Sequence, residues 1–345
     1  MRNEILIKTF FLFLNISSYS AQTDNLPVRD VEVTPLFELD TLKPEVKIIP
    51  FQNNFLSVDK EENIYFVDTS NHRILKFGIN GKFITQIGSI GQREEELYYP
   101  QGIFLKGDRL FVLNYEGKEI KIFNANGKFI SGFKIPDAST SFALYVHDEQ
   151  IITDTKYKDL RNFNLQKLLS LFNKKGEKVK SVGKILKCQT FTGYEVFNSA
   201  FINMIDNSFV IALANYPLIF RCDLDDKEIF YKDLRELKVK EITELQERIF
   251  KLGMDTPESI KEKNAVRSSV YCSGLGVSLE KQIYYALMNS CYLLHLNERG
   301  DIVEKLKLKI QNEPVRVEKI NINEMGNFYG IGILHEQKKK IFFNF

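Results

Sequence analysis

The chain has 345 residues, 44% of them hydrophobic and 27% charged, with a formal net charge of +2. That composition is ordinary for a soluble globular protein long enough for one large β domain or two smaller ones, and nothing in the charge balance points to nucleic acid or an anionic membrane surface. The aromatic content, 28 Phe and 15 Tyr without Trp, suits pleated, half-buried strands.

The N-terminus is a different material. Ile5 to Ile16 is apolar except for Lys8, Thr9 and Asn15, and Ser17 to Ala21 is a small-residue tail of the kind a signal peptidase cuts. The run is too short to span a bilayer. Residues 1–21 therefore read as a signal peptide, which implies export to the periplasm or the cell exterior and no stable membrane insertion after its removal. A buried first strand or helix is the competing reading, supported by Lys8 and the imperfect cleavage site. No Cys follows the apolar run, so a lipoprotein anchor is not encoded there. Residues 22–35, polar with Pro27 and Pro35, read as a flexible or extended lead-in. Apolar residues return from Leu36 to Pro50 as one or two strands.

A repeat then begins, and residues 36–345 read as one domain. The stretch Phe55 to Phe133 contains the same order twice: apolar run, polar turn, apolar run, turn, apolar run, Asn-Gly-Lys hairpin, apolar run. The second run of each unit starts at Ile64, Leu110, Ile151, Phe209, Ile283 and Phe328, with intervals of 46, 41, 58, 74 and 45 residues. A second marker keeps the same phase. Asn80–Gly81–Lys82 and Asn126–Gly127–Lys128 decay to Lys175–Gly176, Asp225–Asp226 and Arg299–Gly300. Asn-Gly suits a two-residue turn in which both residues take positive φ.

Units of about 45 residues with four short strands are propeller blades. A lone four-stranded sheet cannot bury both faces, and a closed ring of them can. The expected fold is all-β: a six-bladed β-propeller of four-stranded antiparallel blades. The last unit is one strand short, so a segment near Val31–Leu39 is expected to supply its outer strand and close the ring. The long interval before Ile283 holds Leu237, Ile242, Leu245, Ile249 and Leu252 at helical spacing, and Thr256–Pro257 as a helix start. A short helical insertion over about 233–270 is expected between blades 4 and 5, either as a solvated excursion or as a cap over one mouth of the ring.

The first two repeats resemble NHL-type propeller repeats. The residues that carry this are Asn63–Asp68, Asn71–Phe77, Gly81–Phe83, Ile87–Ser89 and Tyr99–Ile103. The whole layout is similar to the exported six-bladed propellers common in Bacteroidetes, except that many of those carry a lipobox cysteine. The resemblance implies fold and export, and no single activity. In such repeats a set like Asp68, His72 and Arg73 typically ties strands together, and those three residues, with Gly81 and Gly127, are expected to be structural.

The chemistry-bearing residues are sparse. Cys188, Cys222, Cys272 and Cys291 show no C-x-x-C spacing. They permit two disulfides in three connectivities, with Cys272 and Cys291 on neighbouring strands, or buried free thiols. The free-thiol reading is the simpler. His72, His147, His295 and His335 share no metal-ligand spacing, so no metal ligands are assigned. No catalytic residues are assigned either, since neither a nucleophile elbow nor a phosphate loop occurs. Asp225–Asp226, Glu94–Glu96 and Lys338–Lys340 read as solvated turns. A propeller site is expected at the axial mouth and the inter-blade loops. There Tyr98, Tyr99, Tyr194 and Tyr271 would give aromatic surface to a protein, small-molecule or glycan ligand. The expected function is non-enzymatic binding or scaffolding by an exported propeller. The alternative is a lyase or hydrolase with a metal or acid/base site on the axis. No cofactor is expected, and an axial structural ion such as calcium is compatible with either.

Overall fold

Each repeat folds as an antiparallel meander because its apolar runs are short and the turns between them carry Gly, Asn and Asp. A computed structural model describes residues 26–39, 56–114, 118–135, 143–154, 167–188, 196–237, 239–252, 254, 270–334 and 336–345. Two N-terminal strands, β1 (Val28–Glu32) and β2 (Thr34–Glu38), precede the blades. Blade 1 is β3 (Leu56–Val58), β4 (Ile64–Asp68), β5 (Arg73–Phe77) and β6 (Phe83–Ile87). Blade 2 is β7 (Pro100–Lys106), β8 (Arg109–Asn114), β9 (Glu119–Asn124) and β10 (Phe129–Lys134). Blade 3 is β11 (Leu144–His147), β12 (Gln150–Asp154), β13 (Leu169–Phe172) and β14 (Lys178–Val182). Blade 4 is β15 (Ala200–Ile205), β16 (Ser208–Leu213), β17 (Leu218–Asp223) and β18 (Glu228–Asp233). Helix α1 (Lys240–Lys251) follows, then blade 5: β19 (Cys272–Val277), β20 (Ile283–Leu287), β21 (Tyr292–Leu296) and β22 (Ile302–Ile310). Blade 6 is β23 (Glu313–Ile322), β24 (Phe328–Leu334) and β25 (Lys339–Asn344).

The missing strand of blade 6 is β2, which pairs antiparallel with β25 from Thr34↔Asn344 to Glu38↔Ile341. The ring therefore closes as the repeat count requires. Aromatic packing reinforces the seam: Phe342 on β25 lies 5.3 Å from Phe37, 5.9 Å from Tyr329 and 6.2 Å from Phe66 of blade 1, ring centre to ring centre. Within the stretch 22–35, read from the sequence as a flexible or extended lead-in, Val28–Glu32 is the strand β1, which runs parallel to β22. Periodicity did not reveal it because β1 is held by backbone pairing and charge rather than by an apolar face. Arg29 donates to both carboxylate oxygens of Glu304, at 2.9 and 2.8 Å, and Lys309 pairs with Asp30. Blades 5 and 6 also share a sheet, because β22 passes into β23 through the pairs Lys309↔Pro314 and Ile310↔Glu313.

The repeated Gly-Lys turns contradict one detail of the sequence reading. The hairpins at Gly78–Lys82 and Asn124–Lys128 have three central residues, not two. The positive φ falls on the glycine, +78° at Gly81 and +85° at Gly127. The extra residue is absorbed as a bulge beside the turn, seen as a register shift between Lys76 and Phe77. These glycines also pack the ring. A Cβ on Gly81 would stand 2.9 Å from Phe37, and one on Gly127 2.9 Å from Ile87. Gly176 meets Phe133 and Gly300 meets Phe230 in the same way. Each of these turns leans on the fourth strand of the preceding blade, and Phe37 shows β2 filling that role for blade 6. Blade 4 has Asp226 at this position instead, with φ +64°. Its carboxylate accepts the Gly183 N–H of blade 3 at 2.7 Å and pairs with Lys167.

The helical insertion packs on the flank of the ring. Val239 and Ile242 are buried with blades 4 and 5, and Glu241 meets Lys305 of β22 at 3.2 Å. The second helix start, Thr256–Pro257, lies outside the described residues. The four cysteines are free thiols, with Cys222 and Cys272 buried and their thiols pushed up to about 12 by desolvation.

Glu304 joins β1 to blade 5, and its contacts with Arg29 and then His295 hold its carboxyl down to about 2. A carboxylate depressed in the folded state contributes stability above its unfolded value, near 4.5, and loses that contribution as pH falls through 2. Replacing Glu304 by Gln is expected to cost about 1–2 kcal/mol at pH 7, a figure reduced because Arg29 is largely exposed. Denaturant melts of both proteins from pH 7 to pH 2 should show the difference shrinking below pH 4.5. A difference that is absent at pH 7, or constant down to pH 2, would refute this role.

Candidate functional site

The first strand of every blade lines the axis. Together these strands enclose an axial cavity of about 250 Å³, room for roughly eight waters. The apolar part of its wall is Phe104 on β7, Tyr145 on β11, and Phe201 and Met204 on β15, among aliphatic neighbours. Phe104 and Tyr145 lie against each other at 4.6 Å. The polar part is Ser57, Asn203, Ser278, Lys319, Asn321, Asn323 and Glu324. Leu279, Asn323 and Glu324 belong to the hairpin ends of blades 5 and 6, so the cavity opens toward the turns that join first to second strands. Across that mouth the Glu324 carboxylate accepts the Gly107 N–H of blade 2 at 3.2 Å, bridging over the short β3.

One irregularity of β23 creates the polar wall. Val315 and Val317 are buried in the packing between blades, so Lys319 would be next on that face. The register shifts between Val317 and Lys319, leaving Glu318 as the bulged residue. A bulge reverses the facing of everything beyond it. Ile320 and Ile322 then turn to the blade interface, against Gly274 and Gly276 of β19. Lys319, Asn321 and Asn323 turn to the axis. Glu318 is held on the outer side by Lys340 of β25 at 2.8 Å.

Lys319 is the cation among the described lining residues. Its side chain touches the cavity's own space, yet it sits deep in the protein, and burial lowers its pKa from 10.5 to about 8. The ammonium stands 5.0 Å above the Phe201 ring, an arrangement in which the ring face offsets part of the lost hydration. Tyr145 is pushed up to about 12, by burial first and by the Glu324 charge second. Asn323 is 8% exposed. Its carboxamide oxygen accepts the backbone N–H groups of Met325 and Asn327 at 3.1 and 2.9 Å. That fixes the side chain's orientation and leaves Nδ2 buried without a partner. Asn321 likewise has an unpartnered buried oxygen. Both atoms have almost no accessible surface, so they lie packed behind the cavity wall and are not open to it.

Of the residues expected to bind ligand, Tyr98, Tyr99 and Tyr271 are not among those lining this cavity. Tyr99 donates its backbone N–H to His72 Nδ1 at 2.9 Å, and the His72 ring stacks on Tyr98 at 4.8 Å and meets Tyr99 edge-on at 4.4 Å. These rings join the second turn of blade 1 to the start of blade 2. Tyr271 is 8% exposed, and its N–H bonds Ala214 O. Tyr194 lies outside the described residues. Asp68 is buried and accepts from Arg73 Nε at 2.8 Å and from Asn71 at 3.0 Å. His295 is held between Glu304 and Gln282, His147 faces Asp148, and His335 lies outside the described residues. Sequence reasoning passed over Lys319, Asn321 and Asn323. Their signal was present as Lys-Ile-Asn-Ile-Asn, a strict alternation in a first strand, where the polar side faces the axis.

A lysine whose pKa is depressed in the fold destabilises it while charged, and the penalty disappears as pH rises from 8 to 10.5. Lys319→Met is therefore expected to raise stability at pH 7 by up to about 3 kcal/mol, a few degrees in Tm. The advantage over the parent should shrink between pH 8 and 10.5 in paired thermal melts. A variant less stable than the parent at pH 7 would contradict the account of Lys319 as a desolvated cation.

Comparison with known proteins gives the family. A family model described as a 6-bladed beta-propeller, DUF5128, matches residues 53–330. Over 81 residues the chain is 32% identical to Protein brain tumor of Drosophila melanogaster, a match covering 23% of this chain and 8% of that protein. Among solved structures, a member of the DUF4221 family from Bacteroides vulgatus superposes with a TM-score of 0.52 at 10% identity, over 90% of this chain and 94% of that one. A streptogramin B lyase gives 0.49 at 13% identity over 84% and 78%, and a virginiamycin B lyase from Staphylococcus aureus 0.47 at 10% over 85% and 80%. At such identities the likeness is one of fold. With the ring, its closure and its matched span agreeing, the chain belongs to the DUF5128 family of six-bladed beta-propellers.

Proposed function

We propose that this protein is an exported propeller that binds a small organic molecule in its axial cavity and performs no chemistry on it. The observation that carries the reading is the wall itself: aromatic rings, Asn and Ser side chains, one ammonium and one carboxylate. Such a wall holds and orients a ligand through an apolar body and a few placed polar atoms. An acid/base centre instead sets two titrating groups against one another across the substrate. Here Lys319 and Glu324 belong to different parts of the cavity, because the ammonium reaches Phe201 while the carboxylate is engaged at the mouth by Gly107. The size of the cavity favours a molecule of about a dozen heavy atoms. Export rests on the apolar segment Ile5–Ile16 and the small residues to Ala21.

Methyl-labelled methionine is a suitable probe, since the five methionines include Met204 in the cavity wall. In a fragment screen by NMR, binders should shift Met204 and leave Met254 beside α1 unmoved. Asn203→Trp, which fills the cavity, should abolish the shifts. Binders that move Met254 but not Met204 would sink the reading. For export, residues 1–25 fused ahead of a reporter enzyme in a Gram-negative host should deliver it, processed, outside the cytoplasm. Full-length reporter retained in the cytoplasm would refute that part.

A further inference from the structure

Resting on the axial-binding reading, we propose that the cavity selects a small organic ammonium ion. The charged head sits at the mouth, between the Glu324 carboxylate and the rings of Phe104 and Tyr145, and the apolar body runs down the axis. The argument begins with depth. Counted from the turn of each hairpin, the pairs Ser57↔Tyr65, Phe104↔Phe111, Tyr145↔Ile152 and Asn203↔Val210 are each the third. These four residues, one from each of the first four blades, therefore form one layer of the wall. Phe201↔Ala212 is the fifth pair of its hairpin, about 6.6 Å deeper. The Lys319 ammonium lies over that deeper ring. Glu324 is above the layer, in the turn between β23 and β24. The two charges of the described wall thus stand on opposite sides of the Phe104–Tyr145 layer.

The groups open to a molecule at the mouth are acceptors. The exposed Glu324 carboxylate accepts the Gly107 N–H at 3.2 Å and forms no ion pair among the described residues. The Tyr145 hydroxyl has no hydrogen-bond partner among the described residues either, and it is accessible, unlike the sealed amide atoms of Asn321 and Asn323. Its phenol is pushed up to about 12, by burial first and by the Glu324 charge second, so the hydroxyl keeps its proton and lies within reach of the carboxylate's field. The Phe104 ring is 4.6 Å from the Tyr145 ring and tilted 56° to it. A carboxylate without a counter-ion beside two aromatic rings is the complement of an ammonium, which gains from the charge and from the rings' quadrupoles together. The rest of the mouth favours the same sign. Each of the other five first turns also carries a carboxylate: Glu62, Asp108, Asp148, Asp206 and Glu280. Lys60 and Lys281 are the basic residues within those turns, and each is paired with an acid there. Lys106 and Arg109 flank the second turn. A mouth lined mainly by one sign of charge concentrates the opposite ion.

The test uses three probes of one shape in isothermal titration calorimetry at pH 7: phenethylamine, phenethyl alcohol and phenylacetate. The amine should bind at least about tenfold tighter than the alcohol, and phenylacetate no tighter than the alcohol. In Glu324→Gln, which keeps an acceptor for the Gly107 N–H, amine and alcohol should become equal. In Tyr145→Leu the amine should lose several-fold more than the alcohol. Raising NaCl from about 20 to about 200 mM should weaken the amine several-fold and leave the alcohol unchanged. Should a variant fail to fold, the amine-to-alcohol ratio and its salt dependence in the parent protein decide the matter. Equal binding of amine and alcohol in the parent, or phenylacetate binding tighter than the amine, overturns the ammonium inference. The axial-binding reading survives that result if Met204 still shifts with the alcohol. An amine preference that persists in Glu324→Gln overturns the inference too, because the charge is then read elsewhere on the surface. No binding of any probe at about 10 mM overturns it as well. A fragment screen that also leaves Met204 unmoved then removes the reading beneath it.

Discussion

The whole ring depends on the pairing of β2 with β25. A four-stranded blade has two apolar faces and covers neither by itself, so each blade is stable only while both neighbours stand against it. Five blades obtain their fourth strand from the chain that immediately precedes the next blade, and blade 6 obtains it from Thr34–Glu38. If β2 leaves, Phe37 goes with it. Then Gly81 of blade 1 loses the side chain its turn leans on, and Phe342 loses a ring neighbour. The contact joins residues about three hundred positions apart, but the entropy of closing so long a loop grows only logarithmically with its length. The closure is thus non-local without being prohibitively costly. The parallel strand β1 adds a second clasp on blade 5, and the N–H of Val33, between the two strands, bonds Lys309 O at 2.8 Å. The N-terminal segment therefore holds the last two blades at once.

Against that regular frame, the cavity owes its character to a single extra residue. Without the bulge at Glu318, the alternation of β23 would carry Lys319 into the interface between blades, where Val315 and Val317 are fully buried. With it, the polar members of Lys-Ile-Asn-Ile-Asn face the axis and the isoleucines fill the interface. Gly274 and Gly276 complete the arrangement on the other side, since a Cβ on either would come within 2.7 Å of Ile320 or Ile322. Two small residues in β19 and one inserted residue in β23 together let these strands approach closely. The cost is a buried ammonium and an unpartnered amide. A fold optimised for stability alone would place apolar side chains at both positions.

What could be read in advance follows the physics of repetition. Six blades, the strand borrowed from the N-terminus and the helical excursion were legible because turn residues recur in phase and because one strand was missing from the last unit. The identity of the hairpins was legible only in part. Asn-Gly marked their places, but the three-residue loop and its bulge depend on the register of the flanking strands, which composition does not encode. Strand β1 left no trace because its pairing is parallel, at an edge, and held by Arg29 and Glu304, residues 275 positions apart. For the cavity, attention to aromatic residues in inter-blade loops pointed to Tyr98 and Tyr99, which pack on His72. The wall is instead made by the first strands, and Phe104 and Tyr145 looked like ordinary core in a sequence with so many aromatics. Lys319 was hidden for a sharper reason. Its facing depends on a bulge, and a parity change of one residue is visible only when the partner strand is in place.

The closure and the cavity are not independent features. Blade 6 is the only blade built from both ends of the described chain, and its first strand and turn bring Lys319, Asn321 and Glu324 to the cavity. A ligand held in the cavity contacts the assembled ring and has no equivalent site on a chain whose blade 6 lacks β2. It must therefore favour the closed form by RT ln(1 + [L]/Kd), about 2.7 kcal/mol at a hundredfold excess over Kd. The same linkage runs in reverse: whatever weakens the seam between β2 and β25 lowers the apparent affinity of the cavity by the fraction of rings left open. The glutamate at the bulge makes the link physical. Glu318 pairs with Lys340 on β25, and Lys339, the next residue along, pairs with Glu38 on β2 at 2.7 Å. The residue that turns Lys319 toward the axis is thus two ion pairs away from the strand that closes the ring.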